Sequence, residues 1–329
     1  MINQHPSISR EQDSRLSSFF AAHREGFMKQ NSSAVESKRR GRGWKLEAIA
    51  AGVMLAVSSG QASQLTWDAG NTNNGAQIDP ADGSWSTSTD LLNWNNGSGN
   101  VPWTQTSTTV GINGAVFGGA DGTYEVTVAG QVAVTNLTFL NSGYTLSGAS
   151  GTYIPALASI NVAAGVTATI NCPVPTANNA INWTVGAGAT LAVGGNIGGM
   201  QPKFQGPGTY YLGGFNTPSV TYVLAPVYVT NGSYTAGASF FVGYPANGYN
   251  TGTFTLDGPS TTFSHTGGDS IVARGGGTGT FIIRNGATAN IGLAALRNLR
   301  IAYDNNAGDH GTVDVQGGTL NVGNGSAQG

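Results

Sequence analysis

Thr251-Gly-Thr-Phe-Thr-Leu-Asp-Gly258 returns as Thr278-Gly-Thr-Phe-Ile-Ile-Arg-Asn-Gly286 and again as His310-Gly-Thr-Val-Asp-Val-Gln-Gly-Gly318. A looser copy, Val227-Tyr-Val-Thr-Asn-Gly232, precedes them. The copies start at Val227, Thr253, Thr280 and Thr312, in steps of 26, 27 and 32 residues. A period of this size marks a repeat architecture. Inside each copy, apolar or aromatic residues alternate with small polar ones, which is the period of a β-strand. Each copy then stops at glycine, where positive φ lets the chain turn a corner. Short strands and tight corners at a near-constant step predict an all-β fold, a parallel β-solenoid.

Working outward, the same grammar extends upstream. Glu125–Val128, Val132–Phe139, Gly143–Leu146, Ser159–Val162, Val166–Ile170, Asn182–Val185 and Thr190–Val193 are short alternating runs bounded by Gly, Asn or Pro. At about 25 residues a coil, residues 126–329 predict roughly eight coils. The stretch Gly199–Gly208, with two prolines, reads as an irregular loop, and Gly292–Arg300 as an inserted corner with a helical flavour. Residues 63–125 differ: Trp67, Trp85, Trp94 and Trp103 sit among Asn, Gly and Asp. A solenoid must shield its first coil, and this Trp-rich segment is expected to be an N-terminal cap. The chain stops at Gly323–Gly329, partway through a repeat, which reads as a fragment or as an edge covered by something else.

Composition narrows the function. The chain has 51 glycines in 329 residues and is only 9% charged. Nine of its 14 basic residues lie between Arg10 and Lys45, whereas beyond residue 62 there are five basic and 11 acidic side chains, a net charge of −6. That balance argues against a nucleic-acid partner, which wants a basic stripe. From Val126 to Leu256 the sole charged side chain is Lys203. Stacked coils set equivalent residues ~4.8 Å apart, so columns of like charge are disfavoured and Thr, Asn, Ser and Gly replace them.

Residues 1–62 read as an export leader. Lys38-Arg-Arg-Gly-Arg-Gly-Trp-Lys45 is a basic region, Ala48–Val57 an apolar run of ten, and Ser58-Ser-Gly-Gln-Ala62 offers small residues for cleavage. Cleavage is expected between Ala62 and Ser63. The apolar run is too short to span a bilayer, so the mature chain is expected to carry no membrane span. Cys172 stands alone, so no internal disulfide staples the fold.

The order Leu65-Thr-Trp-Asp68, Asp82-Gly-Ser-Trp-Ser86, Asn93-Trp94, Ala115-Val-Phe-Gly118, Tyr124–Val128, Asn136-Leu-Thr-Phe139 and Gly143–Gly148 resembles the opening of bacterial autotransporter-associated β-strand repeat proteins. Gly252–Gly258, Ser260-Thr-Thr-Phe-Ser264 and Gly279–Thr288 are similar to passenger repeats of the same proteins. The resemblance covers most of residues 64–329. It implies a right-handed parallel β-helix that is secreted or displayed on a bacterial cell surface, with no catalytic residues to carry over. The chain departs from the full pattern in lacking a membrane-barrel sequence.

Parallel β-helices also carry polysaccharide lyases and hydrolases, which need facing carboxylates or an acidic cluster beside a base. The candidates are Asp257, Asp269, Asp304, Asp309 and Asp314, with Arg274, Arg284, Arg297, Arg300, His265 and His310. Asp257, Arg284 and Asp314 sit in successive repeat copies, and an exposed ladder of alternating sign is expected. Thr266–Val272 has the wrong spacing for a calcium-binding repeat and occurs once; phosphate-loop, zinc and nucleophile-elbow motifs have no match. No cofactor or metal is expected. Trp85, Trp94 and Trp103, nine residues apart, are candidates for a sugar-stacking platform, with plugging of the first coil as the competing reading. The sequence thus predicts an exported, non-enzymatic, adhesin-like surface or matrix protein. Its partner would be a cell-surface or extracellular polysaccharide or protein. The alternative is a carbohydrate-active enzyme or binding module on the same scaffold.

Overall fold

Alternation along the strands becomes a division between inside and outside. In Ser159–Val162, Thr167–Ile170 and Thr190–Val193 every second side chain is buried, and the polar ones between face outward. The computed structural model describes residues 63–70, 77–108, 111–155, 158–175, 180–199, 201–216, 218–292, 298–304 and 307–323. The expected leader, Ala62 included, and Arg297 lie outside the described residues.

The described strands form two long sheets of a parallel β-helix, one of 12 and one of 13 strands. The chain visits sheet A and then sheet B in each coil. Equivalent residues of successive coils pair in parallel, so that the inward column of sheet A runs Leu65, Ala115, Leu137, Ile160, Trp183, Phe204, Val223, Val242, Val272 and Ile301. The matching column of sheet B is Val126, Leu146, Ile170, Val193, Leu212, Val229, Leu256, Ile283 and Val315. These face each other in a continuous core, except for Ile301 and Val315 in the last described coil, which are exposed. Each fully buried aliphatic or aromatic side chain contributes roughly 1.5–3 kcal/mol.

From Val126 onward nine rungs of sheet B are described, one more than the even step predicts, because the coils are unequal. From Leu146 to Val229 the steps are 24, 23, 19 and 17 residues; beyond Val229 they are 27, 27 and 32. The looser copy joins its neighbour at Pro226↔Thr253, a step of 27 where the sequence suggested 26. The change of step has a structural cause. Thr209–Asn216 shifts register between Leu212 and Gly214, and Pro226–Ala236 bends so that it pairs twice, through Pro226–Thr230 with Thr251–Asp257 and through Ser233–Ala236 with Thr262–His265. Thr262–His265, Thr288–Ile291 and Thr319–Val322 then continue as a third ladder. The wider interior is filled by Tyr234, Phe240, Phe254, Phe263 and Phe281, which meet mostly edge to face.

Two local expectations are corrected. Gln201–Gln205 is a strand rather than a loop, because Pro202 sits near its start, paired with Ile181 on one side while pairing with Tyr222–Leu224 begins only at Lys203; there its missing N–H costs little. Leu299–Ile301 is likewise a sheet A strand. The repeat strands Thr253–Leu256, Thr280–Ile283 and Thr312–Val315 stack in parallel and in register, as the Gly-Thr pattern predicts.

At the N-terminal end, Ser63–Thr66 is already a parallel rung beside Asn113–Val116. Beyond it, Trp94–Asn95 and Asn100–Val101 form an antiparallel hairpin on the outermost edge of sheet A. Asn96 folds the hairpin turn, its Oδ1 accepting from Ser98 and Gly99 amides. A short twisted hairpin is a common way to blunt an open sheet edge.

Candidate functional site: outward aromatic and cationic columns

Trp85, Trp94 and Trp103 are at most 1% exposed, which removes them as a sugar platform. With Trp67 they meet at centroid distances of 4.8–5.2 Å, chiefly edge to face, and Phe117 closes the cluster. Their faces are spent on one another, at the end of the stack where no described coil lies beyond the first. Trp67 Nε1 donates to the Ala81 carbonyl.

The carboxylates flagged in the sequence are all engaged in the structure. Asp257 Oδ2 receives Arg284 at 2.7 Å and its Oδ1 receives Asn285 Nδ2 at 2.7 Å. Those hydrogen bonds hold the Asp257 carboxyl below its ordinary range. Arg274 Nε donates to Asp304 at 2.9 Å, and Arg300 lies 3.6 Å from Asp269. Asp309 accepts from the amides of Gly276 and Asp304. Asp314 departs from the expected alternating ladder. The shared Gly-Thr start fixes the register, so Asp314 pairs with Ile282 rather than Arg284 and instead accepts from Gln316. His265 is buried with Nε2 at the Ala238 carbonyl, and His310 is exposed beside Thr278. Cys172 is buried, which pushes its thiol up to about 12. Among the described residues, no group of three or more His, Cys, Asp or Glu side chains is placed to hold a metal ion.

What the sequence did not reveal is that each Lys and Arg among the described residues stands over a tyrosine. Lys203 Nζ is 5.5 Å from the Tyr222 ring, Arg284 is 6.0 Å from Tyr228, and Arg300 is 4.3 Å from Tyr303. Arg274 reaches both Tyr244, at 5.3 Å, and Tyr303, at 5.5 Å. Such contacts contribute about 0.5–1 kcal/mol each at exposed sites. Tyr244, Arg274 and Tyr303 occupy one corner, two residues after Val242, Val272 and Ile301. The residue between is left-handed in every coil: Gly243 at φ 71°, Ala273 at 68° and Ala302 at 52°. The next loop, Gly243–Asn250, straps back over sheet A, where Asn247 Nδ2 donates to Asn182 and Gln205, each at 3.0 Å.

Sheet B carries a second outward column. Tyr211 pairs with Tyr228, and the rings stack at 5.3 Å with 19° between planes. Arg284, held by Asp257, covers the far side of Tyr228. On the near side Tyr211 pairs with Ala192, and it remains 42% exposed. These outward columns offer ring faces, hydroxyls and charged groups already paired with one another. Compared with known protein families, curated proteins and solved structures, the chain matches none.

Proposed function

We propose that this chain is an exported, non-enzymatic β-helix of a bacterial surface or matrix, similar to autotransporter passengers, with an adhesive role toward polysaccharide or protein. The observation that carries the reading is the state of its carboxylates. Asp257, Asp304 and Asp309 are each committed to an arginine or to backbone amides on outward columns. A catalytic acid needs a cleft, a partner and a raised pKa, whereas Asp257 is shifted the opposite way. One further fact fits export: a ladder of backbone hydrogen bonds replaces the disulfides that this single-cysteine chain lacks.

The test is expression of the full chain in a Gram-negative host. A mature N-terminus near Ser63 by mass spectrometry, protease-accessible protein on intact cells, and no sugar release from pectate, alginate or xylan are the expected results. Intact, cytoplasmic protein would overturn export. Sugar release abolished by Asp257→Asn or Asp304→Asn would install the carbohydrate-active alternative.

A further inference from the structure

We infer that the open face of Tyr211 is a docking site for a pyranose ring of a neutral polysaccharide lying along sheet B. The inference rests on the proposed role as a displayed binding scaffold and names the ligand class. Three observations carry it.

The first is preorganisation. Tyr211 is backed by Tyr228, Tyr228 by Arg284, and Arg284 by Asp257. The ring is therefore held upright before any ligand arrives, which lowers the ordering cost of binding. The second is an open face. Along its column the ring's other neighbour is Ala192, one strand away, and a single methyl covers only part of a phenol face. Beside it the next column is bare backbone, because Gly213 lies against Gly194. The result is a step with an aromatic wall, the shape that receives the C–H face of a sugar. Thr190 and Thr209, paired next to it, supply hydroxyls at the edge.

The third is charge. Between Val126 and Leu256 the one charged side chain is Lys203, and it belongs to sheet A. On its open side, toward Ala192, Thr190 and Gly194, the floor beside Tyr211 thus carries no charged side chain, and Arg284, beyond Tyr228, is already paired with Asp257, so no free counter-ion awaits a uronate or sulfate. That selects neutral over anionic polymers.

The experiment is affinity electrophoresis of the full exported chain in gels containing mannan, xylan, β-glucan, alginate or pectate. At least one neutral polymer should retard the protein, with little dependence on salt. Tyr211→Ala should weaken that retardation about tenfold or more, as loss of a central aromatic anchor does. Tyr211→Phe should keep it, and Tyr303→Ala, on the other column, should leave it unchanged. Circular dichroism of each variant checks the fold, which an exposed substitution should spare. Retardation by anionic polymers alone, equal retardation of Tyr211→Ala, or none by any neutral polymer overturns the site. Sugar release or a cytoplasmic location would overturn the proposed function instead, while a Tyr211-dependent shift would still support this site.

Discussion

Gly279 has no room for a side chain. A Cβ there would meet the Val242 carbonyl oxygen, and Gly252 and Gly311 stand in the same relation to Val223 and Val272. The glycine of each Gly-Thr motif thus lets a sheet B strand lie against the sheet A carbonyl one coil back. Gly258, Gly286 and Gly317 do the turning that the sequence suggested, at φ 98°, 83° and 70°. Two kinds of glycine share one motif, and only their neighbours tell them apart. Gly279→Ala should lower the urea midpoint by an amount equivalent to about 1–3 kcal/mol, the usual cost of overpacking. Asp257→Asn should cost at most about 1 kcal/mol, since its arginine partner is partly exposed. Asp257 has a depressed folded pKa. Its contribution is therefore present above the ordinary carboxylate pKa of about 4 and fades as pH falls through the lower folded value. An acid titration of the two proteins should converge there.

At the scale of strands, legibility followed length. The seven-residue repeats carry enough alternation to announce both strand and register. Phe240–Val242, Ser270–Val272 and Leu299–Ile301 have three residues each and no alternation to read, so sheet A was nearly invisible beyond Thr190. The Tyr211–Tyr228 pair was hidden for another reason: its 17-residue step crosses the register shift after Leu212. The misplaced Asp314 shows the same sensitivity, since a slip of two along a strand changes the partner while preserving the face. Because coils contact mainly their neighbours, whole coils should be removable. Deleting residues 167–189 joins Val166 to Thr190, the register equivalent of Thr167. That variant should keep a β-sheet circular dichroism spectrum and a cooperative melt. Deleting only 167–186 should not, because three extra residues misplace the corner and the inward column.

For the molecule as a whole, the interior holds ionisable groups that only stay neutral there. Tyr144, Tyr210 and Tyr234 are buried, and burial raises each phenol well above its ordinary pKa. A raised pKa means stability that is complete below the unfolded value of about 10 and is lost as pH climbs beyond it. Ultraviolet titration should therefore find the exposed tyrosines ionising first. Tyr144, Tyr210 and Tyr234 should follow only with unfolding, in one step with loss of the β-sheet signal. Ionisation of all tyrosines below that step would contradict the buried core.

The bend in Pro226–Ala236, where two ladders become three, also sets how the fibre answers force. Backbone hydrogen bonds run along the axis, so tension applied end to end loads the coils in series and peels them one by one. Between Val126 and the bend each coil holds 17–24 residues and beyond it 27–32. At ~3.4 Å per residue, the narrow coils pay out about 60–80 Å of slack and the wide ones about 90–110 Å. A tether built this way has two gears: short, frequent yielding from one end and long, rarer yielding from the other.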